Sequence, residues 1–186
     1  MAPPIKVTKE NILQASLAIV RRGGVTALTA KSLAQELNCS TQPIFWAFGS
    51  MKNLLDAVTA EVVKIYDGYY ARKIEGLPRF KSTGVNYIIF AAEEPELFRL
   101  LFMTERQSDT DILNASFDAN KPEIIAALCE ETGLPHDKAT EMYIYMWLFS
   151  HGIATLIVTN TIKITMETVG KALTDVYVSL LAKYKE

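Results

Sequence analysis

Apolar residues recur at every third or fourth position along most of the chain, which is the spacing of helices that bury one face. The first such pattern follows Thr8, a residue that can cap a helix, and its apolar face includes Ile12 and Ile19. Gly23 and Gly24 end this pattern. No segment alternates apolar and polar residues as a half-buried strand does. The chain is therefore predicted to be all-α.

Two short helical patterns separated by a tight turn occupy residues 29–55. Thr29 is placed to cap the first helix, and Asn38 ends it, because asparagine tolerates the left-handed backbone found just past a helix end. Pro43 suits the first turn of the second helix, which Gly49 ends. Two helices joined in this way form a helix-turn-helix, and the first helix of the chain covers their apolar faces.

The turn and the start of the second helix carry side chains that suit DNA. Ser40 and Thr41 have hydroxyls that are expected to cap this helix, and the first residues of a helix in the major groove reach base edges. Gln42 can pair with adenine through two hydrogen bonds. Trp46 cannot share one apolar face with the other large residues of so short a helix, so we expect it to be partly exposed against the sugar-phosphate backbone. The alternative is that Trp46 packs on the adjoining helix.

A longer helical pattern follows directly and connects the two parts of the chain. Ser50 is placed to cap it, and we predict that it covers residues 51–74, before Gly76. Its start packs on the helix-turn-helix and its remainder enters the second part, without a flexible linker. The predicted domains are residues 1–54 and residues 55–186.

The rest of the chain is helical by the same criterion. Residues 87–102 are predicted to form two helices broken at a proline. Residues 142–158 are nearly all apolar, but these 17 residues fall short of a membrane span. We therefore expect a fully surrounded helix of an antiparallel bundle and no membrane partner. The predicted breaks are Gly84, Pro95, Asn120 with Pro122, Gly133 with Pro135, and Asn160.

The last helical pattern, in residues 165–184, has apolar positions three or four residues apart. A terminal helix with such a stripe covers either its own bundle or another subunit. The stripe consists of Met166, Val169, Leu173, Val176, Tyr177, Leu180 and Tyr184.

Methionines and aromatic residues are frequent in the second part, and they suit an adaptable apolar cavity. The candidate pocket residues are Phe98, Phe102, Met103, Met142, Tyr143, Tyr145, Met146, Trp147 and His151. The alternative for each is an ordinary core position. A histidine on an apolar helix is more often bonded to a carbonyl or carboxylate, and the other polar candidate, Arg99, can instead pair with Glu96 or Glu105 outside the pocket.

Charge is distributed unevenly along the chain. The net charge is −2, but residues 1–60 carry +3 and residues 61–186 carry −5. The basic part contains the helix-turn-helix, which supports a nucleic-acid partner. A hydrophobic content of 49% with 22% charged residues indicates a globular protein.

No pattern for catalysis or metal binding is present in the sequence. The two histidines, His136 and His151, lie far apart, and the two cysteines, Cys39 and Cys129, lack metal or redox spacing. There is no nucleophile elbow or glycine-rich phosphate loop. We therefore expect no enzyme activity, no metal and no cofactor. No signal peptide opens the chain, so a cytoplasmic protein is expected.

The helix-turn-helix resembles the DNA-binding domain of the tetracycline-repressor-like (TetR) family of bacterial regulators, over about the first third of the chain. The resemblance rests on Leu28, Thr29, Lys31, Leu33, Ala34, Gln35, Leu37, Ile44, Phe45, Trp46, Phe48, Leu54 and Leu55. It implies three DNA-binding helices, the third being the recognition helix, followed by a larger helical domain that binds a small molecule and dimerises. With the turn residues, the predicted DNA-binding set is Thr29, Lys31, Ser40, Thr41, Gln42, Pro43, Phe45, Trp46 and Lys52.

The second domain resembles one C-terminal class of the same family, whose signature is a Trp-x-x-x-His-Gly helix. Here the signature residues are Trp147, His151 and Gly152, with further matches at Ala91, Pro95, Leu97, Phe98, Phe102 and Ile153. The resemblance implies that the last helix and the helix containing Trp147 form a four-helix dimer interface. The predicted dimer residues are Met166, Val169, Leu173, Val176, Tyr177 and Leu180.

Three positions depart from the family pattern. Phe45, Ala47 and Met51 stand where Tyr, His and Lys are usual, and each replacement removes a phosphate donor. Either the affinity for the DNA backbone is lower, or Lys31 and Lys52 compensate.

The predicted function is a one-component transcriptional repressor. It binds a palindromic double-stranded DNA operator as a homodimer and is released by a small apolar effector. One alternative is a helical protein that binds lipids or other apolar molecules and keeps a vestigial helix-turn-helix. Another is an architectural DNA-binding protein without a small-molecule response. Salt-dependent binding to a palindrome separates the carrier from the other two, and release by a small molecule separates the regulator from the architectural protein.

Overall fold

The computed structural model describes residues 7–104 and 121–185, and within these ranges it contains helices and no strand. The prediction of an all-α fold is confirmed. The α-helices are α1 Lys9–Gly23, α2 Ala30–Glu36, α3 Gln42–Phe48, α4 Met51–Tyr70, α5 Arg79–Glu93, α6 Pro95–Phe102, α7 Lys121–Thr132, α8 His136–Val158 and α9 Met166–Lys185, with one 3-10 turn at Val25–Ala27.

The described residues form two compact units. The N-terminal unit contains the residues up to Asp67 together with Glu94–Thr104, and the bundle unit contains the remainder. Helix α6 therefore belongs to the N-terminal unit, and the last residues of α4 belong to the bundle unit. The predicted division between residues 54 and 55 separates a DNA-binding domain from a ligand-binding domain, and not two compact units. It stays a prediction.

Local signals define the helices of the N-terminal unit. Thr8 and Thr29 each accept a hydrogen bond from the backbone three residues later, so both predicted caps are confirmed. Asn38 has a φ of 49° and Gly49 a φ of 74°, which is the left-handed region that ends α2 and α3 as predicted. The hydroxyl of Thr41 makes no capping bond, contrary to the prediction. Its backbone is already helical, whereas a capping residue is usually extended.

The core of the N-terminal unit joins α1 to the helix-turn-helix and to α6. Helix α1 packs against α2, α3 and α6. Arg21 of α1 donates two hydrogen bonds to the carboxylate of Glu94, at 3.0 and 2.8 Å, and this pair ties α1 to the start of α6. The buried core residues include Ile12, Val20, Leu33, Ile44, Leu54, Val58, Val62, Leu97 and Phe98.

Helix α8 is the central helix of the bundle unit, and α5, α7 and α9 pack against it. By length and composition alone, α8 could cross a membrane, and 44% of its apolar window is buried. The prediction that this helix is fully surrounded is wrong, because Tyr145, Leu148 and Leu156 remain 37–38% exposed. Within residues 7–104 and 121–185, one face of α8 therefore stays partly open.

Two further predicted features of the bundle differ in the structure. Helix α4 ends at Tyr70 rather than near residue 74, because the side chains of Arg79 and Asn86 hydrogen-bond the carbonyls of Tyr70 and Arg72, at 3.4 and 2.7 Å. Gly84 does not break the chain but lies inside α5. One glycine costs a helix only about 1 kcal/mol relative to alanine, and packing on α8 offsets this cost.

The remaining predicted breaks agree with the helix ends. Pro95 starts α6 directly after α5, Gly133 has a φ of 73° just past α7, and Asn160 has a φ of 53° just past α8. Asn120 lies outside the described residues.

Candidate DNA-binding surface and bundle site

The outer face of α3 carries two adjacent exposed aromatic side chains. Ile44 and Phe48 are buried, whereas Phe45 is 42% and Trp46 78% exposed. The helical repeat produces this division, because residue 46 lies on the side opposite residues 44 and 48, and residue 45 lies at the edge of the buried side. The expected exposure of Trp46 is confirmed, and the alternative that it packs on an adjoining helix is excluded.

The other predicted DNA-binding residues lie on the surface around α3. Ser40, Thr41 and Gln42 are exposed at its N-terminal end. A surface depression of about 460 Å³ lies beside this turn, and Lys31 of α2 lines one side of it. Thr29 and Lys52 are also exposed, and Pro43 is half-buried in the first turn of α3. Their contact with DNA stays a prediction.

Most cations of the N-terminal unit are paired with carboxylates. The pairs at 2.7 to 2.9 Å are Arg21 with Glu94, Arg22 with Glu36, Lys52 with Asp56, and Lys64 with Glu61, and Arg99 lies 3.3 Å from Glu96. The hydrogen bond from Arg22 lowers the pKa of Glu36. Among the described residues, Lys9 and Lys31 have no carboxylate within 4.0 Å. These two cations are therefore electrostatically available to an anion.

A cluster of three rings joins α5 to α8 in the bundle unit. The hydroxyl of Tyr87 lies 2.9 Å from Nδ1 of His151. The ring of Trp147 stacks on His151 at a centroid distance of 5.1 Å and an interplanar angle of 17°. Burial lowers the pKa of His151 from its ordinary value of 6.5, which favours the neutral imidazole. The phenol of Tyr87 is therefore one hydrogen-bond partner of His151.

The predicted pocket residues are divided between the two units. Phe98, Phe102 and Met103 belong to the N-terminal unit, and Met142, Tyr143, Met146, Trp147 and His151 belong to the bundle unit. Phe98 and Met142 are completely buried, whereas Met103 is 40% exposed. The pocket as a whole stays a prediction. Arg99 lies 3.3 Å from Glu96, which agrees with the alternative that Arg99 pairs with a nearby carboxylate. Glu105, the other carboxylate considered, lies outside the described residues.

The stripe of α9 packs mainly within its own bundle. Val169, Leu173 and Tyr177 are buried in the single chain, so these three side chains are occupied by their own subunit. Val176 and Leu180 are half-buried, and Met166 is exposed. Contact of the six predicted residues with a second subunit stays a prediction.

Sequence reasoning missed two groups of residues on these surfaces. It did not select Tyr87, which lies 64 positions before its partner His151 and meets it only through the packing of α5 on α8. It also did not select Leu148, Leu156 and Val178, whose exposure follows from which helix faces pack together. For these leucines, the available signal was the all-round apolar composition of α8.

The chain combines a helix-turn-helix, whose second helix α3 is exposed, with a helical bundle. This combination defines a class of helical proteins with a DNA-binding unit. Comparison with known families identifies the family within this class. Residues 80–181 match the family described as the tetracyclin repressor-like C-terminal domain, which is more than half of the chain. The chain belongs to the TetR family of transcriptional regulators. The narrower Trp-x-x-x-His-Gly class stays a prediction.

Two curated relatives are similar over 64 residues at 27% identity: the class D tetracycline repressor protein of Escherichia coli and the class H protein of Photobacterium damsela subsp. piscicida. The aligned part is 34% of this chain and 29% of each relative, so the chain covers less than a third of their length.

Solved structures share the fold over nearly the whole chain. A Rhodococcus sp. RHA1 protein of unknown function has a TM-score of 0.72 at 18% identity, with all of both chains covered. A TetR-like transcriptional regulator from the same organism has a TM-score of 0.69 at 14% identity, covering 94% of this chain and 96% of that one. A TetR variant of Acinetobacter baumannii AYE in complex with minocycline has a TM-score of 0.60 at 17% identity, covering 97% of each.

Proposed function

We propose that the chain is a one-component, cytoplasmic transcriptional repressor that binds a palindromic operator as a homodimer and leaves it when a small apolar effector binds. The observation that carries the proposal is the exposed face of α3. A tryptophan that is 78% exposed on a seven-residue helix, next to a phenylalanine that is 42% exposed, has no role in the core of this chain. It forms a surface for a partner.

The chemistry around this face supports DNA as the partner. Gln42 at the start of α3 can read adenine, and Thr41 beside it can contact a thymine methyl. Lys31 has no carboxylate within 4.0 Å among the described residues, so its charge is available to a phosphate. Trp46 and Phe45 provide apolar contact with sugars or thymine methyl groups.

A homodimer is supported by the open face of α8. Leu148 and Leu156 are exposed there, and Gly152 lies between them with nothing within 4 Å of an added Cβ. Glycine weakens a helix, and no atom of the described residues occupies the space beside Gly152. Close approach of a helix from a second subunit would explain why a glycine stands there. On α9, Val178 is 55% exposed.

The effector part of the proposal rests on composition and on a relative. Methionine and aromatic side chains of the bundle unit suit an apolar ligand, and a structure with the same fold, from Acinetobacter baumannii AYE, contains minocycline. A ligand that lowers operator affinity tenfold must prefer the non-binding state by about 1.4 kcal/mol.

The alternative function is a carrier of lipids or other apolar molecules with a vestigial helix-turn-helix. The absence of a hydrogen-bond donor from the side chains of Phe45, Ala47 and Met51 favours it.

A displacement experiment tests the release step and separates the two functions. The purified chain is bound to a fluorescent duplex that it selects from random DNA, and a library of apolar compounds is added while anisotropy is measured. The repressor releases the duplex with at least one compound and stays folded and dimeric. A chain that binds compounds in the library but no duplex is the carrier.

A further inference from the structure

Lys9 is held beside the recognition helix by an aromatic ring. Its ammonium nitrogen lies 5.1 Å from the centroid of the Phe48 ring, which is a cation–π distance. Phe48 is 7% exposed and packed in the core, so the ring is a rigid partner for a flexible side chain. The first turn of α1 thereby places a positive charge next to the last turn of α3.

The charge of Lys9 is not neutralised by its surroundings. Among the described residues, no carboxylate lies within 4.0 Å of it. The neighbouring Glu10 accepts a hydrogen bond from Gln14 at 2.9 Å. In contrast, Lys52 lies 2.9 Å from Asp56, which offsets part of its charge.

The position of Lys9 borders the exposed face of α3. Phe45 and Phe48 are three residues apart, so they are neighbours on one side of that helix, and Phe45 is exposed while Phe48 carries the lysine. A helix in the major groove has a sugar-phosphate strand on each side. A cation at the flank of such a helix meets phosphate rather than bases.

We propose that Lys9 binds a backbone phosphate of the operator and supplies a positive charge that Met51, in place of the usual lysine, does not provide. The proposal rests on the proposed DNA-binding function. It assigns a phosphate-binding role to α1, which also packs against α2, α3 and α6.

Salt dependence of operator binding tests this assignment. The variants are Lys9→Gln, which removes the charge, Lys9→Arg, which keeps it, and Lys64→Gln as a control. Lys64 is an exposed lysine of α4 that is paired with Glu61. Each variant is titrated by anisotropy with the selected operator and with a scrambled duplex, from low to moderate salt.

The logarithm of the binding constant falls linearly with the logarithm of the salt concentration, and the slope steepens with each phosphate contact. Loss of one contact in each subunit makes this slope less steep by about 1.8 for the dimer. We expect this change for Lys9→Gln on both duplexes, and wild-type slopes for Lys9→Arg and Lys64→Gln. If Lys9 only braces α3, binding of Lys9→Gln weakens equally at every salt concentration without a change of slope, and the assignment is wrong.

The same titration distinguishes failure of the inference from failure of the proposed function. If the wild-type chain binds a palindrome and Lys9→Gln keeps the full slope, the phosphate contact is wrong and the repressor stands. If the wild-type chain binds no duplex at any salt concentration, both are wrong.

Discussion

The phenol of Tyr87 and the imidazole of His151 form a hydrogen bond of 2.9 Å that connects α5 to α8. When Nε2 carries the ring proton, the Tyr87 hydroxyl donates to Nδ1. The stacked ring of Trp147 covers one face of the imidazole. Protonation therefore puts a charge into a half-buried aromatic setting.

Stability is predicted to depend on pH through His151. Burial lowers the folded pKa below the ordinary value of 6.5, so the unfolded chain takes up a proton at a higher pH than the folded chain does. The contribution of neutral His151 to the free energy of unfolding is complete above pH 6.5. It is lost as the pH falls through the lower pKa of the folded state. Denaturant unfolding between pH 5 and 8 measures this, and His151→Gln is expected to flatten the curve in this range.

His136→Gln provides the matched control for this prediction, because His136 is exposed at the start of α8. The control variant is expected to keep the pH dependence of the wild type. An unchanged curve for His151→Gln would show that other groups cause the effect.

Asn86 is predicted to stabilise the turn that follows α4. Its side chain is 1% exposed, and its amide donates to the carbonyl of Arg72 at 2.7 Å. In Asn86→Ala the carbonyl loses this donor, which costs about 1–3 kcal/mol of unfolding free energy. Chemical denaturation measures the change against Gln35→Ala, an exposed amide on α2. A loss below about 0.5 kcal/mol would mean that water replaces the amide.

The open face of α8 is predicted to carry the dimer contact. Leu148→Glu and Leu156→Glu place charges at positions that are 37% and 38% exposed in the single chain. Losing the burial of one leucine costs about 1.5–3 kcal/mol, so each change weakens the dimer at least about tenfold. Sedimentation is expected to give the monomer mass of 20.7 kDa for the double variant at concentrations where the wild type has twice that mass.

Leu77→Glu serves as the control for the dimer prediction, since Leu77 is 39% exposed outside the helices. It should leave the mass unchanged. A double variant of α8 that is folded and still dimeric would place the interface elsewhere.

Gln42 is predicted to read a base, and Lys31 is predicted to bind a backbone phosphate. Gln42→Ala is expected to relax specificity at one base pair and to cost about 1–3 kcal/mol of binding. Lys31→Ala is expected to weaken binding to all sequences and to reduce the salt slope by about 1 for each subunit. Competition between operator and single-base variants, repeated at several salt concentrations, measures both. Equal losses of both kinds in both variants would contradict these roles.

Local chemistry made part of the fold predictable. Thr8 and Thr29 cap helices, and Asn38 and Gly49 end them, because each of these residues acts through its own backbone or that of near neighbours. The exposure of Trp46 followed from the limited width of one face of a short helix.

Features that depend on tertiary packing were not predictable in this way. Helix α4 ends where side chains from α5 bind the carbonyls of Tyr70 and Arg72, at and just after its last residue. Gly84 stays helical because α5 packs on α8. In the candidate site, the partner of His151 comes from a distant helix. The even apolar composition of α8 does not indicate which of its faces is covered.

The central claim is that two copies of α3 read a palindrome. Selection of bound duplexes from a random pool by the purified full chain, repeated at increasing salt concentrations, tests it most directly. The account predicts a palindrome whose half-site centres lie about 10 base pairs apart, with binding that weakens progressively with salt. Recovery of no common motif, with all binding lost at moderate salt, would contradict it and favour the apolar-ligand carrier.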